Sequence, residues 1–464
     1  MLFSSFLFLF WFLPLTLALY FLPLLLRVRD AKKRLAWQNA TLLVTSLFFY
    51  AFGEPVYVLL LLGVALSNAL LAWQIPKARY PRVPLIIAVT LDVSLLVLFK
   101  YPPLVGLPTP HLPLGISFYT FQAISYVADV YQKRAKPAKN PLTVCLYVAL
   151  FPQLIAGPIV RYTEVDAALA QRRSTAYGVS TGISRFAVGL AKKVVLANAA
   201  GEIFGTFVAN GARSSLTALI GILGFAFQIY FDFSGYTDMA IGLGRIFGFD
   251  FPENFNYPYI AHSVTDFWRR WHITLSSFFR EYVYIPLGGN RCGLPRTILH
   301  LLAVWALTGL WHGASWNFVL WGLYYFTLLV LEKFVLCRML ERTPRSITIP
   351  VTFALTLGGW ALFAFDGSTP ALALSALPPF FFTLIGFGKG GLLARSEWYD
   401  VLRALPILAL CALGATPLPH RLYKRCAQRH CASVLHVALP LCCLLLSIAA
   451  LADAGYNPFL YFRF

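Results

Sequence analysis

The chain is poor in charge, and above all in acidic side chains. Only 12% of its 464 residues are Asp, Glu, Lys or Arg, while 59% are hydrophobic. A soluble domain carries roughly 25% charged and about 45–50% apolar residues, so the composition excludes a soluble enzyme, a disordered chain and a fibrous repeat. The apolar runs are long and do not alternate, which argues against a membrane β-barrel. We expect an all-α polytopic transmembrane bundle, with room for roughly ten spans of ~20 residues.

The eight cysteines include no Cys-x-x-Cys pair. Cys426, His430 and Cys431 lie close together, but no second pair stands at the spacing of a zinc site, so no metal is predicted. The net charge of +19 would suggest nucleic-acid binding in a soluble protein. In a polytopic membrane protein it is expected, because Lys and Arg collect in cytoplasmic loops. We therefore predict a lipid bilayer, and no nucleic acid, as a partner.

The distribution of basic residues predicts the orientation of the spans. The first dense basic cluster, residues 27–34, is expected in the cytoplasm, which places the N-terminus outside. Each later cluster falls on the side that the count of spans requires. The expected spans are 1–26, a hairpin within 40–75 that breaks at Gly53-Glu54-Pro55, 85–99, 114–131, 297–311, 316–336, 348–365, 401–416 and 432–451.

Three stretches do not fit simple spans. Proline or glycine interrupts the apolar residues 142–160 and 228–252, and non-helical backbone survives at membrane depth only inside protein or beside a cavity. Both stretches are therefore predicted to be re-entrant. Residues 253–296 combine arginines with Trp, Tyr and Phe, which predicts amphipathic helices at or just inside the cytoplasmic interface.

His312 stands at the tip of the hairpin predicted from 297–311 and 316–336. The first arm has about 15 residues, or roughly 22 Å at the rise of an α-helix, so the tip would stop short of the far side of the bilayer. A titratable side chain at membrane depth is by default a functional hypothesis. A neutral imidazole there can take a proton from a hydroxyl and give it to a leaving group. A histidine that only hydrogen-bonds neighbouring helices is the alternative.

His272 is a second candidate, at the end of the run Asp266-Phe267-Trp268-Arg269-Arg270-Trp271-His272. It would add another polar group to the site, and a capping or interfacial histidine is the alternative. Carboxylates near membrane depth need partners. We expect structural ion pairs among Asp232, Asp238, Glu253, Arg245, Arg269 and Arg270.

Six runs of sequence carry a family resemblance. They are PLGISFYTFQAISYVADVY (113–131), LFPQLIAGPIVR (150–161), FDFSGYTDMAIGLG (231–244), PENFNYPY (252–259), DFWRRWHITLSSFFREYVYIPLGGN (266–290) and GLWHGASWNFVLWG (309–322). In this order they resemble the membrane-bound O-acyltransferase (MBOAT) family, and within it the bacterial branch that O-acetylates alginate or peptidoglycan. The match is dense over 100–335, the expected catalytic core of a single integral membrane domain, 1–464. The resemblance implies helices around a central tunnel, a catalytic His312, and a match of His272 to a recurrent family histidine.

The resemblance also implies a reaction. A cytoplasmic thioester donor, acetyl-CoA for this branch, would give its acyl group to hydroxyls of an extracytoplasmic polysaccharide such as an alginate-like exopolysaccharide or peptidoglycan. The enzyme would lie in the inner (cytoplasmic) cell membrane, and a secreted SGNH-type transferase or esterase would work alongside it. Arg269, Arg270 and Trp311 are expected at the donor, since basic residues attract phosphates. The positive-inside bias explains the arginines equally well.

The C-terminal tail, residues 457–464, ends in PFLYFRF. It resembles a short aromatic C-terminal motif of this branch and of a small partner of the D-alanyl system of teichoic acid synthesis. By that resemblance Tyr461 accepts the acyl group and passes it on, since a phenol becomes a competent nucleophile beside a base. An aromatic anchor at the membrane interface is the alternative.

Two other classes of function fit part of the sequence. A transporter or flippase would explain re-entrant segments and intramembrane polar residues, but it often carries an inverted repeat, and none is detectable here. A non-catalytic membrane scaffold for a secreted acetyltransferase would explain the family motifs without chemistry. Labelled acetyl-CoA separates the scaffold from the enzyme, because a scaffold acquires no label.

Overall fold

The computed structural model describes residues 1–102, 111–209, 213–367, 369, 372–427, 432–453 and 460. Within these ranges every regular element is a helix and no strand is formed. The chain divides into two compact units, Met1–Leu190 with Tyr236–Glu253 and Ala191–Gly235 with Asn254–Phe464. The expectation of an all-α fold is therefore confirmed.

The first unit is built mainly from the N-terminal helices. They are α1 (Leu13–Leu25), α2 (Ala31–Ala51), α3 (Tyr57–Gln74), α4 (Arg82–Lys100), α5 (Ile116–Tyr131), α6 (Pro141–Ala149), α7 (Phe151–Leu154), α8 (Tyr162–Ala170) and α9 (Ala176–Ala191). Asp30 caps α2, because its carboxylate accepts the backbone N–H groups of Lys32 and Lys33 at 2.8 and 3.2 Å. The predicted hairpin break at Gly53-Glu54-Pro55 is confirmed, since α2 ends just before it and α3 begins just after it.

The second unit contains the helices that carry the two histidines. They follow as α10 (Asn198–Phe204), α11 (Ser215–Ile246), α12 (Val264–Arg270), α13 (Ile273–Phe279), α14 (Leu294–His312), α15 (Trp316–Leu331), α16 (Cys337–Arg342), α17 (Arg345–Ala364), α18 (Leu377–Phe382), α19 (Trp398–Gly414), α20 (Leu418–Ala427) and α21 (Ala432–Asp453). The last eleven residues of α11 belong to the first unit. Large aromatic side chains such as Trp271, Trp321 and Trp360 fill the apolar core of this unit.

Within the described residues, eight helices are long and apolar enough to cross a membrane. They are Phe8–Leu25, Tyr57–Gln74, Arg82–Lys100, Ser215–Ile246, Leu294–His312, Trp316–Arg342, Arg345–Ala364 and Val434–Asp453. A ninth candidate is the bent pair Arg395–Gly414 and Leu418–Cys426, whose axes differ by 66°. This is the architecture of a polytopic helical membrane protein.

Residues 228–252 are not re-entrant, so that prediction is wrong. They belong largely to α11, a continuous helix of 32 residues, and their glycines allow close packing instead of breaking the helix. A Cβ at Gly242 would lie 2.6 Å from the carbonyl oxygen of Gly182, and one at Gly244 would lie 2.7 Å from the ring of Phe251. The other stretch, 142–160, is interrupted as predicted, because α6 and α7 are short buried helices that meet at Leu150.

Two further span predictions need correction. The span predicted at 114–131 forms α5, which has 16 residues and is buried along almost its whole length, so protein surrounds it. The first arm of the His312 hairpin is longer than expected, since α14 begins at Leu294 and has 19 residues. At about 1.5 Å per residue that helix is close to the ~30 Å thickness of the hydrocarbon core, so the argument that the tip stops short does not hold.

Candidate functional site

His312 is the last residue of α14, at the turn into α15. The two helices pack closely because glycines face the partner backbone: a Cβ at Gly309 would lie 2.5 Å from the carbonyl oxygen of Phe318, and one at Gly322 would lie 2.6 Å from that of Trp305. This packing fixes the end of α14 against the start of α15. The predicted position of His312 at the tip of a helical hairpin is confirmed.

Aromatic rings surround the imidazole of His312. Its centroid lies 4.7 Å from that of Trp311, 5.1 Å from Trp321 and 5.0 Å from Phe363. The ring of Phe318 lies 6.0 Å away, and His312 is only 6% exposed. These rings replace most of the water around the imidazole and leave it in an apolar, shape-restricted setting.

His272 lies in the tight turn between α12 and α13. Its backbone is left-handed, with φ +44° and ψ 53°, and its side chain is buried. The Nδ1 atom lies 3.1 Å from Oδ1 of Asn254. That same oxygen accepts the backbone N–H of Thr274 at 3.2 Å and its hydroxyl at 2.9 Å. Asn254 therefore holds the turn and the imidazole together.

These bonds determine which nitrogen of His272 carries a proton. The backbone N–H of Thr274 can only donate, so the atom of Asn254 that it contacts is the amide oxygen. Nδ1 of His272 must therefore donate to that oxygen, and in the neutral ring Nε2 is the acceptor. Burial lowers the pKa of His272 to about 3, so the ring is neutral at pH 7 with its lone pair on Nε2.

Trp311 contacts both imidazoles. Its ring centroid lies 6.2 Å from that of His272 and 4.7 Å from that of His312. His272 also makes a T-shaped contact with Phe233 on α11, with the ring centroids 4.7 Å apart. The structure thus brings together three of the predicted site residues, the two histidines and the tryptophan that contacts both.

The two predicted donor-binding arginines have different environments. Arg269 is exposed on α12, whereas Arg270 donates from Nε to Asp266 at 2.9 Å and from its Nη1 to the carbonyl of Asn256 at 3.3 Å. Burial alone would raise the pKa of Asp266, but the hydrogen bond from Arg270 contributes to a net lowering. Arg270 is therefore engaged within α12, through Asp266, and with the segment before it, through Asn256. Tyr461 lies outside the described residues.

The comparisons with known proteins identify the family. The model of the membrane-bound O-acyltransferase family matches residues 138–363, which include both histidines. The probable alginate O-acetylase of Pseudomonas putida is 34% identical over 506 aligned positions, which cover 100% of both chains. The chain belongs to the membrane-bound O-acyltransferase family.

Two other relatives of this MBOAT protein come from different cell-surface systems. The peptidoglycan O-acetyltransferase of Helicobacter pylori is 38% identical over 367 residues, 70% of this chain and 68% of the relative. The teichoic acid D-alanyltransferase of Bacillus subtilis is 31% identical over 268 residues, 53% of this chain and 67% of the relative. Family and architecture together make the protein a multi-pass membrane O-acyltransferase.

Sequence reasoning about this MBOAT chain assigned the wrong partners to its carboxylates. Ion pairs do form, but Asp232 pairs with Lys193 at 3.2 Å, and Arg185 pairs with both Asp238 and Glu253. Lys193 lies on a π-helical turn, Lys192–Ala197, in a stretch that gave no chemical signal. Its charge in an otherwise apolar run was the one available clue.

Glu332 was also missed. This buried carboxylate, just after α15, accepts the backbone N–H groups of Val264 at 2.7 Å and Thr265 at 3.0 Å. It therefore caps the start of α12, the helix that leads to His272. Among the described residues, no group of three or more His, Cys, Asp or Glu side chains is arranged to hold a metal ion.

Proposed function

We propose that this enzyme moves an acetyl group from cytoplasmic acetyl-CoA to hydroxyls of an extracytoplasmic polysaccharide. The observation that carries the proposal is the pair of buried histidines, His272 and His312, that flank Trp311. An alginate-like exopolysaccharide or peptidoglycan is the proposed acceptor, in line with the relatives from Pseudomonas putida and Helicobacter pylori. The proposed location is the inner cell membrane. We propose a single membrane domain with its catalytic core at 100–335, and a secreted SGNH-type transferase or esterase as the partner.

In the first step His312 acts as general base on the phenol of Tyr461. The phenolic oxygen attacks the thioester carbonyl of acetyl-CoA, a C–O bond forms and the C–S bond breaks. The proton that His312 takes from the phenol goes to the departing thiolate, so that the products are the acetyl ester of Tyr461 and free CoA. Positioned proton transfer of this kind contributes roughly 10²–10⁴ in rate.

In the second step a hydroxyl of the polysaccharide attacks the tyrosyl ester. His312 takes the proton of that hydroxyl and returns it to the departing phenolate, which restores Tyr461 and leaves the polysaccharide acetylated. Direct attack of the sugar hydroxyl on acetyl-CoA is the shorter route to the same product. Both routes require the imidazole of His312 in its neutral form.

His272 has a different task in this proposal. A developing negative charge needs a hydrogen-bond donor, but the neutral His272 ring presents the acceptor Nε2, because Nδ1 donates to Asn254. An acceptor suits an amide N–H of the donor or the hydroxyl that is to react. We therefore assign His272 to orientation of a substrate, with Trp311 as the wall between the two imidazoles. The exposed Arg269 would attract the phosphates of CoA by charge, and Arg270 would contribute less because it is bound to Asp266.

The test uses the purified protein in nanodiscs with acetyl-CoA labelled in the acetyl group. We expect wild type to acquire label on its C-terminal peptide. The labelling rate of His312→Ala should be at least 100-fold lower than that of wild type. His300→Ala is the matched control, because His300 is also a buried histidine of α14. Its Nδ1 lies 3.1 Å from the carbonyl oxygen of Gly289, and it is not one of the residues that surround His312. This variant should retain most of the rate.

The same assay separates the proposal from its rivals. Label in His312→Ala at the rate of wild type would overturn the catalytic role of that ring. A chain that never acquires or transfers label, alone or with acceptor, would be a scaffold or a transporter. Label that goes straight to the polysaccharide, with none on the C-terminal peptide under trapping conditions, would remove Tyr461 from the mechanism and leave His312 in place.

A further inference from the structure

A buried ion pair lies in the second unit and has no part in the proton transfers described above. Nζ of Lys193 lies 3.2 Å from Oδ1 of Asp232, and their side chains are 1% and 4% exposed. Lys193 also donates to Oδ1 of Asn198 at 3.0 Å. Asp232 belongs to α11 and Lys193 to the π-helical turn Lys192–Ala197.

The second oxygen of this carboxylate holds a distant part of the chain. Oδ2 of Asp232 accepts the backbone N–H of Leu460 at 2.7 Å, across 228 residues of sequence. The side chain of Leu460 packs against the apolar core of the same unit. Leu460 is thus fixed by one hydrogen bond and by apolar contact.

This arrangement is more specific than an ion pair that only joins two helices. A buried charge is expensive unless it is paired and hydrogen-bonded, and a hydrogen bond to an ionised acceptor is roughly twice as strong as a neutral one. Lys193 lies beside Oδ1 of Asp232, which leaves Oδ2 for another donor. That oxygen accepts a backbone N–H, which any residue other than proline would present at position 460.

Leu460 is next in sequence to Tyr461, and its acceptor Asp232 is next in sequence to a residue that contacts His272. Tyr461 follows Leu460, and neighbouring Cα atoms are about 3.8 Å apart. Phe233 follows Asp232 on α11 and makes a T-shaped contact with His272, with the ring centroids 4.7 Å apart. The hydrogen bond between Leu460 and Asp232 therefore involves the residue before the proposed acyl carrier, Tyr461. It also involves the residue before Phe233, which contacts His272.

We propose that the Lys193–Asp232 pair is a dock for the C-terminal segment, and that Asp232 is a positioning residue that sets Tyr461 at the histidines. The part that concerns Tyr461 rests on the proposed function. The dock itself does not, because it is defined by the amide of Leu460. Removal of the acceptor oxygen should free the segment even when no acyl donor is present.

The experiment compares two double variants in which positions 193 and 232 carry no charge. In Lys193→Met with Asp232→Asn, the amide oxygen of the new side chain can still accept the N–H of Leu460. In Lys193→Met with Asp232→Leu, no acceptor remains, although the volume is similar and an apolar replacement of a buried ion pair is often tolerated. Thermal unfolding in detergent first establishes that both variants fold.

Hydrogen exchange of the Leu460 amide is the direct measurement, made on the full chain in nanodiscs and read by mass spectrometry of the C-terminal peptide with fragmentation. We expect slow exchange in wild type and in the Met/Asn variant, and exchange at least tenfold faster in the Met/Leu variant. The Met/Leu variant should also acetylate Tyr461 at least tenfold more slowly than the Met/Asn variant. With residues 457–464 deleted, any activity left should be equal in the two.

The outcomes separate the dock from the chemistry. Equal exchange at Leu460 in both double variants would overturn the dock, whatever the acetylation assay gives. Faster exchange in the Met/Leu variant, together with an unimpaired His312→Ala, would retain the dock and overturn the proposed mechanism. A structural ion pair without a docking role predicts equal exchange at Leu460 in two variants of equal stability.

Discussion

At the scale of single residues, His272 shows how a local turn can set the chemistry of a side chain. Its φ of +44° is uncommon for a residue with a side chain, although His is among the residues enriched there. Three bonds to Oδ1 of Asn254 hold the turn and fix the tautomer. Strained backbone of this kind is found preferentially at functional sites, which agrees with an orienting task for Nε2.

The neutral state of His272 makes the stability of the protein sensitive to acid. Burial lowers its pKa to about 3 in the folded chain, while an unfolded chain has a histidine pKa near 6.5. Above about pH 6.5 both states are neutral and the stability is complete. Between about pH 6.5 and 3 the unfolded chain binds the additional proton, so stability falls with decreasing pH by about 1.4 kcal/mol per unit for this one group.

His272→Gln removes that titration. The advantage in melting temperature of wild type over His272→Gln should therefore shrink as the pH falls from 7 to 4, measured by tryptophan fluorescence in detergent. A difference that stays constant over this range would show that His272 is not held neutral by the fold.

At the scale of elements, the α14–α15 hairpin places His312 by close backbone packing. The contacts of Gly309 with Phe318 and of Gly322 with Trp305 leave no room for a methyl group. The glycines of α11 make the same kind of close contact, and the helix is continuous where they had suggested a break. In both places a glycine inside an apolar run marks where another segment of the same chain packs against the helix. The sequence of the run does not show whether the helix breaks there, because that depends on the segment that packs against it.

Gly309→Ala should therefore force the two helices apart. We expect a loss of about 1–3 kcal/mol in stability, as for an overpacked core, and a larger loss of acetylation than the loss of folded protein accounts for, because His312 is one turn away. Gly63→Ala is the matched control: Gly63 lies within α3, and a Cβ there would meet nothing within 4 Å. It should stabilise the helix by up to about 1 kcal/mol and keep full activity. Equal effects of the two substitutions in thermal unfolding and acetylation would contradict this account of the hairpin.

At the scale of the whole molecule, the sequence was informative where the signal is local. Long apolar runs predicted the spans, and the short turn after His312 predicted the hairpin that carries it. The contacts that complete the site are not local: Asn254 lies 18 residues before His272, and Leu460 lies 228 residues after Asp232. No periodicity or spacing encodes such pairs, because they depend on how the helices pack.

The orientation in the membrane is the remaining prediction at this scale, and native cysteines can test it. Cys337 and Cys426 are exposed, and each is followed or preceded by basic residues that the positive-inside rule places in the cytoplasm. A membrane-impermeant maleimide should modify both in inverted vesicles and neither in right-side-out spheroplasts, with the labelled peptides identified by mass spectrometry. Val56→Cys, at the exposed turn before α3, should give the opposite result. Labelling of Cys337 from outside would place the start of α14 outside as well, and would contradict the predicted orientation.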